Sequence, residues 1–211
     1  TERRPDGYHL LQSVFMLIDW CDTLHFALRP NGQISREDLG PALPADDLTL
    51  RAARALQAAT GCTQGAHLSV LKRIPAQAGM GGGSSDAAST LIALNRLWGL
   101  NLGLAELRRI GLALGADVPF FLCGHNAWVE GIGETIAPLA NDSQLPKARF
   151  VVVKPTAGLE TKNIFSSPSL KRDSDSATIA GFAATHYDFG RNDLQSVAQA
   201  LCPDVTQALQ W

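Results

Sequence analysis

The run Pro75-Ala76-Gln77-Ala78-Gly79-Met80-Gly81-Gly82-Gly83-Ser84-Ser85 places four glycines in five positions and follows them with two hydroxyls. Glycines let a main chain approach a ligand without a Cβ in the way, and a helix that starts after them offers unpaired N–H groups and the positive end of its dipole. Such a run reads as a cradle for phosphate. A tight turn needing several left-handed residues, with Ser84 or Ser85 as an ordinary helix cap, would use the same residue types. So many glycines carry a large cost in backbone entropy, which favours the ligand-binding reading. No Gly-Lys-Ser/Thr follows, and Ser84 stands where a dinucleotide fingerprint would have its third glycine, so neither of those nucleotide loops is present.

A phosphate cradle does chemistry only with a second group. The candidate is Asp117, in Leu114-Gly115-Ala116-Asp117-Val118-Pro119-Phe120-Phe121. Gly115 suits a left-handed helix cap, Pro119 fixes the following turn, and Phe120, Phe121 and Leu122 would exclude water from a carboxylate at the junction. Such an aspartate could take the proton of a hydroxyl attacking a γ-phosphoryl group, or orient that hydroxyl. Bracing a turn is the other use of an aspartate there. A third constellation, Arg4-Pro5-Asp6-Gly7-Tyr8-His9, combines a turn signal with a ring that could stack on a flat ligand and an imidazole that could read its edge, or is a plain turn with partly buried rings. The histidines at 25, 67, 125 and 186 lack metal-ligand spacing, and no metal ligand is assigned.

These groups need elements to position them. Residues 13–19 and 23–28 read as strands, 30–44 as a loop or long hairpin, and 48–60 as a helix capped by Asp46 or Asp47 and stopped by Gly61. The strand 67–72 leads into the glycine run, and apolar periodicity predicts helices over 87–98 and 104–114. Residues 118–122 and 127–129 look extended. The polar stretch 141–147, with Pro146, reads as a linker between a domain over 1–143 and another over 144–211. Beyond it lie an expected buried strand at 149–155, a short element at 161–165 and a flexible loop at 166–177. Strands and helices without regular alternation indicate an α+β fold.

The 211 residues are 45% apolar with a formal charge of −2, enough for a real core and too little positive charge for a nucleic-acid surface. No apolar run approaches the roughly 20 residues that span a bilayer, so a membrane partner is not expected. Cys21, Cys62, Cys123 and Cys202 are far apart, which suits a reducing cytoplasm. Thr1 and Trp211 read as cut ends.

Together, the run 75–85, the segment 114–119 and Asp6-Gly7-Tyr8-His9 resemble the GHMP kinase superfamily. The resemblance implies a two-domain α+β fold, with an N-terminal domain like ribosomal S5 domain 2, an incomplete ferredoxin-like C-terminal domain and an active site in the cleft between them. It implies ATP-dependent phosphorylation of the methylerythritol 2-hydroxyl of a cytidine diphosphate conjugate, in non-mevalonate isoprenoid precursor synthesis. Residues 75–85 would then hold the ATP phosphates and Asp117 would be the catalytic aspartate. Tyr8 and Phe165 would clamp the cytosine, His9 would read its edge, and Thr161 would touch the substrate. Lys72 and Asp47 match positions near the nucleotide base. Mg²⁺ would bridge the ATP phosphates through a protein ligand left unassigned. The superfamily's lysine-bearing first strand should precede Thr1 and its third glycine-rich motif should follow Trp211, so the chain as written is expected to be inactive or nearly so, while the parent protein is expected to be a kinase. Asp47 and Asp86 stand where relatives often carry asparagine. Two carboxylates near ATP would repel its phosphates unless magnesium or Lys72 offsets them. A homoserine- or mevalonate-type kinase would share the cradle but not the cytosine pocket, and a non-catalytic nucleotide-binding module would share the cradle alone.

Overall fold

The structure, a computed structural model, describes residues 10–139, 148–156, 158–159, 161–185 and 188–210. Two compact units emerge: one takes in 15–76 and 80–127, the other 1–14, 77–79 and 128–211.

The first unit is built on strand β4 (Gly65–Leu71). It buries Ala66, Leu68 and Val70 on one face and leaves His67 and Ser69 half-buried on the other. This is the alternation a one-sided sheet requires. Strand β2 (Thr23–Arg29) pairs antiparallel with it, Thr23 opposite Leu71, and β3 (Ile34–Asp38) pairs parallel, Ile34 opposite Ala66. Helices α1 (Leu48–Thr60), α2 (Gly82–Leu97), α3 (Leu104–Leu114) and α4 (Val118–Cys123) supply the rest of the core, in which Leu56, Leu68, Leu91, Leu94 and Val118 are fully buried. Each such side chain contributes about 1.5–3 kcal/mol of apolar burial. The caps of α1 are those expected. The Asp47 carboxylate accepts from the N–H groups of Thr49 and Leu50, and Gly61 closes the helix at φ 67°.

The second unit contains the sheet β1-β5-β6, from β1 (Leu11–Phe15), β5 (Ala127–Gly131) and β6 (Thr135–Pro138). Its helices are α5 (Thr161–Ser166), α6 (Ile179–Thr185), α7 (Gln195–Leu201) and α8 (Pro203–Leu209). Ile164, Leu170 and Val197 form one apolar cluster, while Phe189 packs between Trp128 and Phe182.

Several sequence expectations are corrected. Residues 118–122 are helical rather than extended, because proline is tolerated in a helix's first turn, where its missing N–H would be unpaired anyway. Helix α2 starts at Gly82, five residues before 87, so the last two glycines and both serines of the run lie in its first turns. Gly115 is extended at φ 178° rather than left-handed. The 30–44 stretch contains β3, and the first strand covers Leu11–Phe15 rather than 13–19. The apolar run at 149–155 forms no strand; Phe150, Val151 and Val153 are each more than half exposed, Val151 at 89%. The 166–177 loop is pinned, since the Arg172 guanidinium donates to the carbonyls of Phe165, Ser167 and Leu170 at 2.9–3.0 Å. The expected linker at 141–147 lies outside the described residues.

Candidate active site

The glycine run leaves β4 and reaches α2 through three left-handed residues, Gln77 at φ 55°, Gly79 at φ 70° and Gly81 at φ 67°. Gly81 is the N-cap of α2, and no side chain caps the helix there. A Cβ on Gly81 would meet the Phe121 ring at 2.8 Å, and one on Gly82 would meet Ile74 at 2.9 Å. These glycines are therefore required by close approach as well as by backbone angle. Ser85 donates its N–H to Gly81. The N–H groups of Gly82, Gly83 and Ser84 precede the first intrahelical bond and so remain available to an anion. Within the run Ala76, Gln77, Gly79 and Gly83 are exposed, while Pro75, Ala78, Met80, Ser84 and Ser85 are half-buried.

Helix α4 brings Asp117 to this turn. Phe121 lies against Gly81, and the position of a Gly115 Cβ is 3.8 Å from the Ser84 hydroxyl, so the α3–α4 junction borders the first turn of α2. Asp117 occupies the N-cap position of α4 yet makes no capping bond with its side chain. Among the described residues its carboxylate has no hydrogen-bond partner. Partial burial pushes that carboxyl above the usual aspartate value.

Below the turn lies a buried cluster of three charges. The Lys72 ammonium is shared between the carboxylates of Asp22 and Asp86, 2.7 Å from the latter. The other oxygen of Asp22 accepts from the N–H groups of Arg73 and Ile74, at 2.6 and 2.8 Å. Burial pushes Asp86 up to about 6, only partly offset by Lys72. Burial would also raise Asp22, but the hydrogen bonds from Lys72, Ile74 and Arg73 outweigh it and hold that carboxyl below its ordinary value. For Lys72 the desolvation that would lower it is overcome by the two carboxylates. The sequence offers Lys72 as a charge that could offset Asp86, which the structure bears out, and gives Asp22 no role. No local pattern could pair Asp22 with Lys72, fifty residues away.

Comparison with known proteins then fixes the family. Residues 47–125, which hold the glycine run and Asp117, match the GHMP kinases N terminal domain. A 4-diphosphocytidyl-2-C-methyl-D-erythritol kinase of Paracidovorax citrulli (strain AAC00-1) is 74% identical over 211 residues, covering 100% of this chain and 74% of the relative. The chain belongs to the 4-diphosphocytidyl-2-C-methyl-D-erythritol kinase family of GHMP kinases. A crystal structure of a 4-(cytidine 5'-diphospho)-2C-methyl-D-erythritol kinase superposes with a TM-score of 0.76 at 30% identity, over 98% of this chain and 74% of that one. A homoserine kinase structure from Cytophaga hutchinsonii gives a TM-score of 0.51 at 16% identity, over 90% of this chain and 57% of that one. That second likeness concerns the fold alone.

In this GHMP kinase the two carboxylates expected to repel ATP are already engaged. Asp86 is held by Lys72, and Asp47 caps α1 while pairing with Arg36, whose side chain is 8% exposed. Arg36 also grips Asp38 and the carbonyls of Leu43 and Pro44, which ties the 39–47 segment to β3. Tyr8 and His9 lie outside the described residues. Phe165 sits half-buried in α5, packed on the cluster around Ile164 and Leu170, and Thr161 opens that helix. Among the described residues no group of three or more His, Cys, Asp or Glu could hold a metal ion.

Proposed function

We propose that the protein transfers the γ-phosphoryl group of ATP to the 2-hydroxyl of 4-diphosphocytidyl-2-C-methyl-D-erythritol, a step of non-mevalonate isoprenoid precursor synthesis. The observation that carries this is the border between the uncapped first turn of α2 and Asp117, whose carboxylate has no hydrogen-bond partner among the described residues, set in a chain 74% identical to a kinase of that name.

The turn 75–85 binds the ATP phosphates through the N–H groups at the start of α2, where the helix dipole favours negative charge. The substrate hydroxyl oxygen attacks the γ-phosphorus, a new O–P bond forms, and the bond to the β-phosphate oxygen breaks to release ADP. Asp117 orients the hydroxyl and receives its proton, and the raised affinity of that carboxyl for a proton makes it a better acceptor than an exposed aspartate. The apolar side chains beside it, Val118 and Phe120, are buried and help exclude water. Magnesium would come with the nucleotide as part of the substrate and would offset phosphate charge there.

Tyr8 and Phe165 clamp the cytosine ring in this reading, with His9 on its polar edge and Thr161 as a further contact; stacking supplies affinity and hydrogen bonds supply base choice. Lys72 and Asp47 contribute from beside the nucleotide site through the groups they hold in place. Domains over 1–143 and 144–211 divide the work between the nucleotide turn and the Thr161–Phe165 element. Four free cysteines and the lack of any described helix long and apolar enough to cross a membrane suit a reducing cytoplasm.

Phosphorus NMR of the protein with magnesium–ATP and the cytidine compound tests the reading. A new phosphomonoester resonance that needs the cytidine diphosphate moiety supports it. Phosphorylation of homoserine or mevalonate instead, with no response to the cytidine compound, overturns it in favour of another member of the superfamily.

A further inference from the structure

Three features outside the chemistry described so far could carry more. The exposed run Phe150–Val153 and the patch of Leu17, Ile18 and Trp20 are apolar surface with nothing to identify what covers them. The buried cluster of Asp22, Lys72 and Asp86 is different, because its geometry touches the phosphate turn from two sides.

Asp22 holds the approach to the turn. One of its oxygens accepts from two successive backbone N–H groups, those of Arg73 and Ile74, and the other engages Lys72. Asp86 holds the exit, since it belongs to the second turn of α2, four residues after Gly82, and is 4% exposed. Lys72 lies between them, its ammonium 3.4 Å from where a Cβ on Gly82 would sit. Removing a buried ionic partner leaves an uncompensated charge, so such a cluster survives only where each member is held. We propose that Asp22 and Asp86 are positioning residues for the ATP-phosphate turn, acting through Lys72, which they fix between the approach to the turn and the first turns of α2. The proposal rests on the kinase reading given above.

The cluster also sets a charge beneath the phosphates. With both carboxylates ionised it carries one net negative charge, and with Asp86 protonated it carries none. Lys72 and Asp22 are the charged groups acting on Asp86. Because Asp86 titrates near 6, the balance changes within the range where a kinase is assayed. ATP binding is therefore favoured on the acid side of that value, and an asparagine at 86, which keeps an acceptor for Lys72 but not the charge, removes the dependence.

The experiment measures KM for magnesium–ATP and kcat from pH 5.5 to 8 for the parent, Asp86→Asn and Lys72→Met, with thermal unfolding of each. The ratio of parent to Asp86→Asn KM cancels the titration of ATP itself. The expected ratio rises from about 1 at the acid end to about 3 at the alkaline end. Lys72→Met is expected to raise KM for ATP about tenfold or more, with kcat changed by less than about threefold. A flat ratio near 1 across the range together with an unchanged KM for ATP in folded Lys72→Met, with an active parent, overturns the proposal while leaving the kinase reading intact. A folded full-length protein that neither binds nor consumes ATP overturns both. Where Lys72→Met does not fold, the Asp86→Asn ratio decides alone.

Discussion

Asp47 and Asp117 occupy the same kind of place, the N-cap position of a helix, and use it in opposite ways. The carboxylate of Asp47 is fully committed, to Thr49, to the N–H of Leu50 and to Arg36. That of Asp117 caps nothing, and partial burial holds its proton more tightly than usual. The backbone explains part of the difference. Asp47 is extended at φ −76°, ψ 171°, the geometry that lets a cap side chain turn back onto its own helix, whereas Asp117 is already helical at φ −86°, ψ −14°. What separates the committed aspartate from the one left for chemistry in the proposed reaction is whether the local backbone lets the helix use it.

The sharpest way to break this comparison is Asp117→Asn, which keeps the size and removes the charge. Turnover should fall about 10²–10⁴-fold, the usual contribution of a general base, while calorimetry shows ATP still binding. Unchanged turnover would put Asp117 in the same class as Asp47. The same variant carries a pH signature. Folding raises the Asp117 carboxyl, so the stability associated with its protonated form is present below the unfolded value of 3.8 and is lost as pH rises through the folded one. Asp117→Asn should therefore gain stability relative to the parent as denaturation is moved from about pH 4 to about pH 7.

Gly81→Ala comes next, because it forces a side chain into a left-handed residue and against the Phe121 ring, which shares α4 with Asp117. It should cost about 1–3 kcal/mol in urea unfolding and weaken ATP binding. Asp47→Ala should cost about 1–2 kcal/mol, the range for a lost cap, and Arg36 keeps Asp38 as a partner. Gly115→Ala should be the mildest, under about 0.5 kcal/mol, since the backbone is extended there and the nearest atoms are 3.6 Å or more from the new methyl group. A large loss at 115 would mean that the junction is tighter than its geometry implies.

The same contrast explains how far the sequence could be read. Helix α3 was legible to the residue, and α1 with both caps, because apolar period and capping chemistry agree there. Helix α4 was not, since Val118-Pro-Phe-Phe-Leu carries strand-forming side chains and only its packing against α2 and α3 selects a helix. The start of α2 was placed late because glycine is about 1 kcal/mol worse than alanine inside a helix, and no propensity argument would spend two there. Strand β3 hides in a charged Ile34-Ser-Arg-Glu-Asp38 and exists through its parallel pairing with β4. The run at 149–155 shows the converse: apolar character alone does not bury a segment, and Val151 stays 89% exposed. In the candidate site, the glycine turn and Asp117 stand out in the sequence because each is a local pattern, and the structure sets the α3–α4 junction beside that turn. Asp22 joins the Lys72–Asp86 pair from fifty residues upstream of Lys72, and no local pattern marks it.

The indole N–H of Trp98, at the far end of α2, donates to the carbonyl of Gly65 at 3.1 Å, at the very start of β4. Lys72, just past the other end of that strand, grips Asp86 near the opposite end of the same helix. Strand and helix are thus buttoned together top and bottom, and the number of residues between the buttons becomes a fixed quantity. A single-residue insertion or deletion between 86 and 98 would rotate one fastening by about 100° away from its mate. Substitutions along the outer face of α2 are free to accumulate, but changes in its length are not.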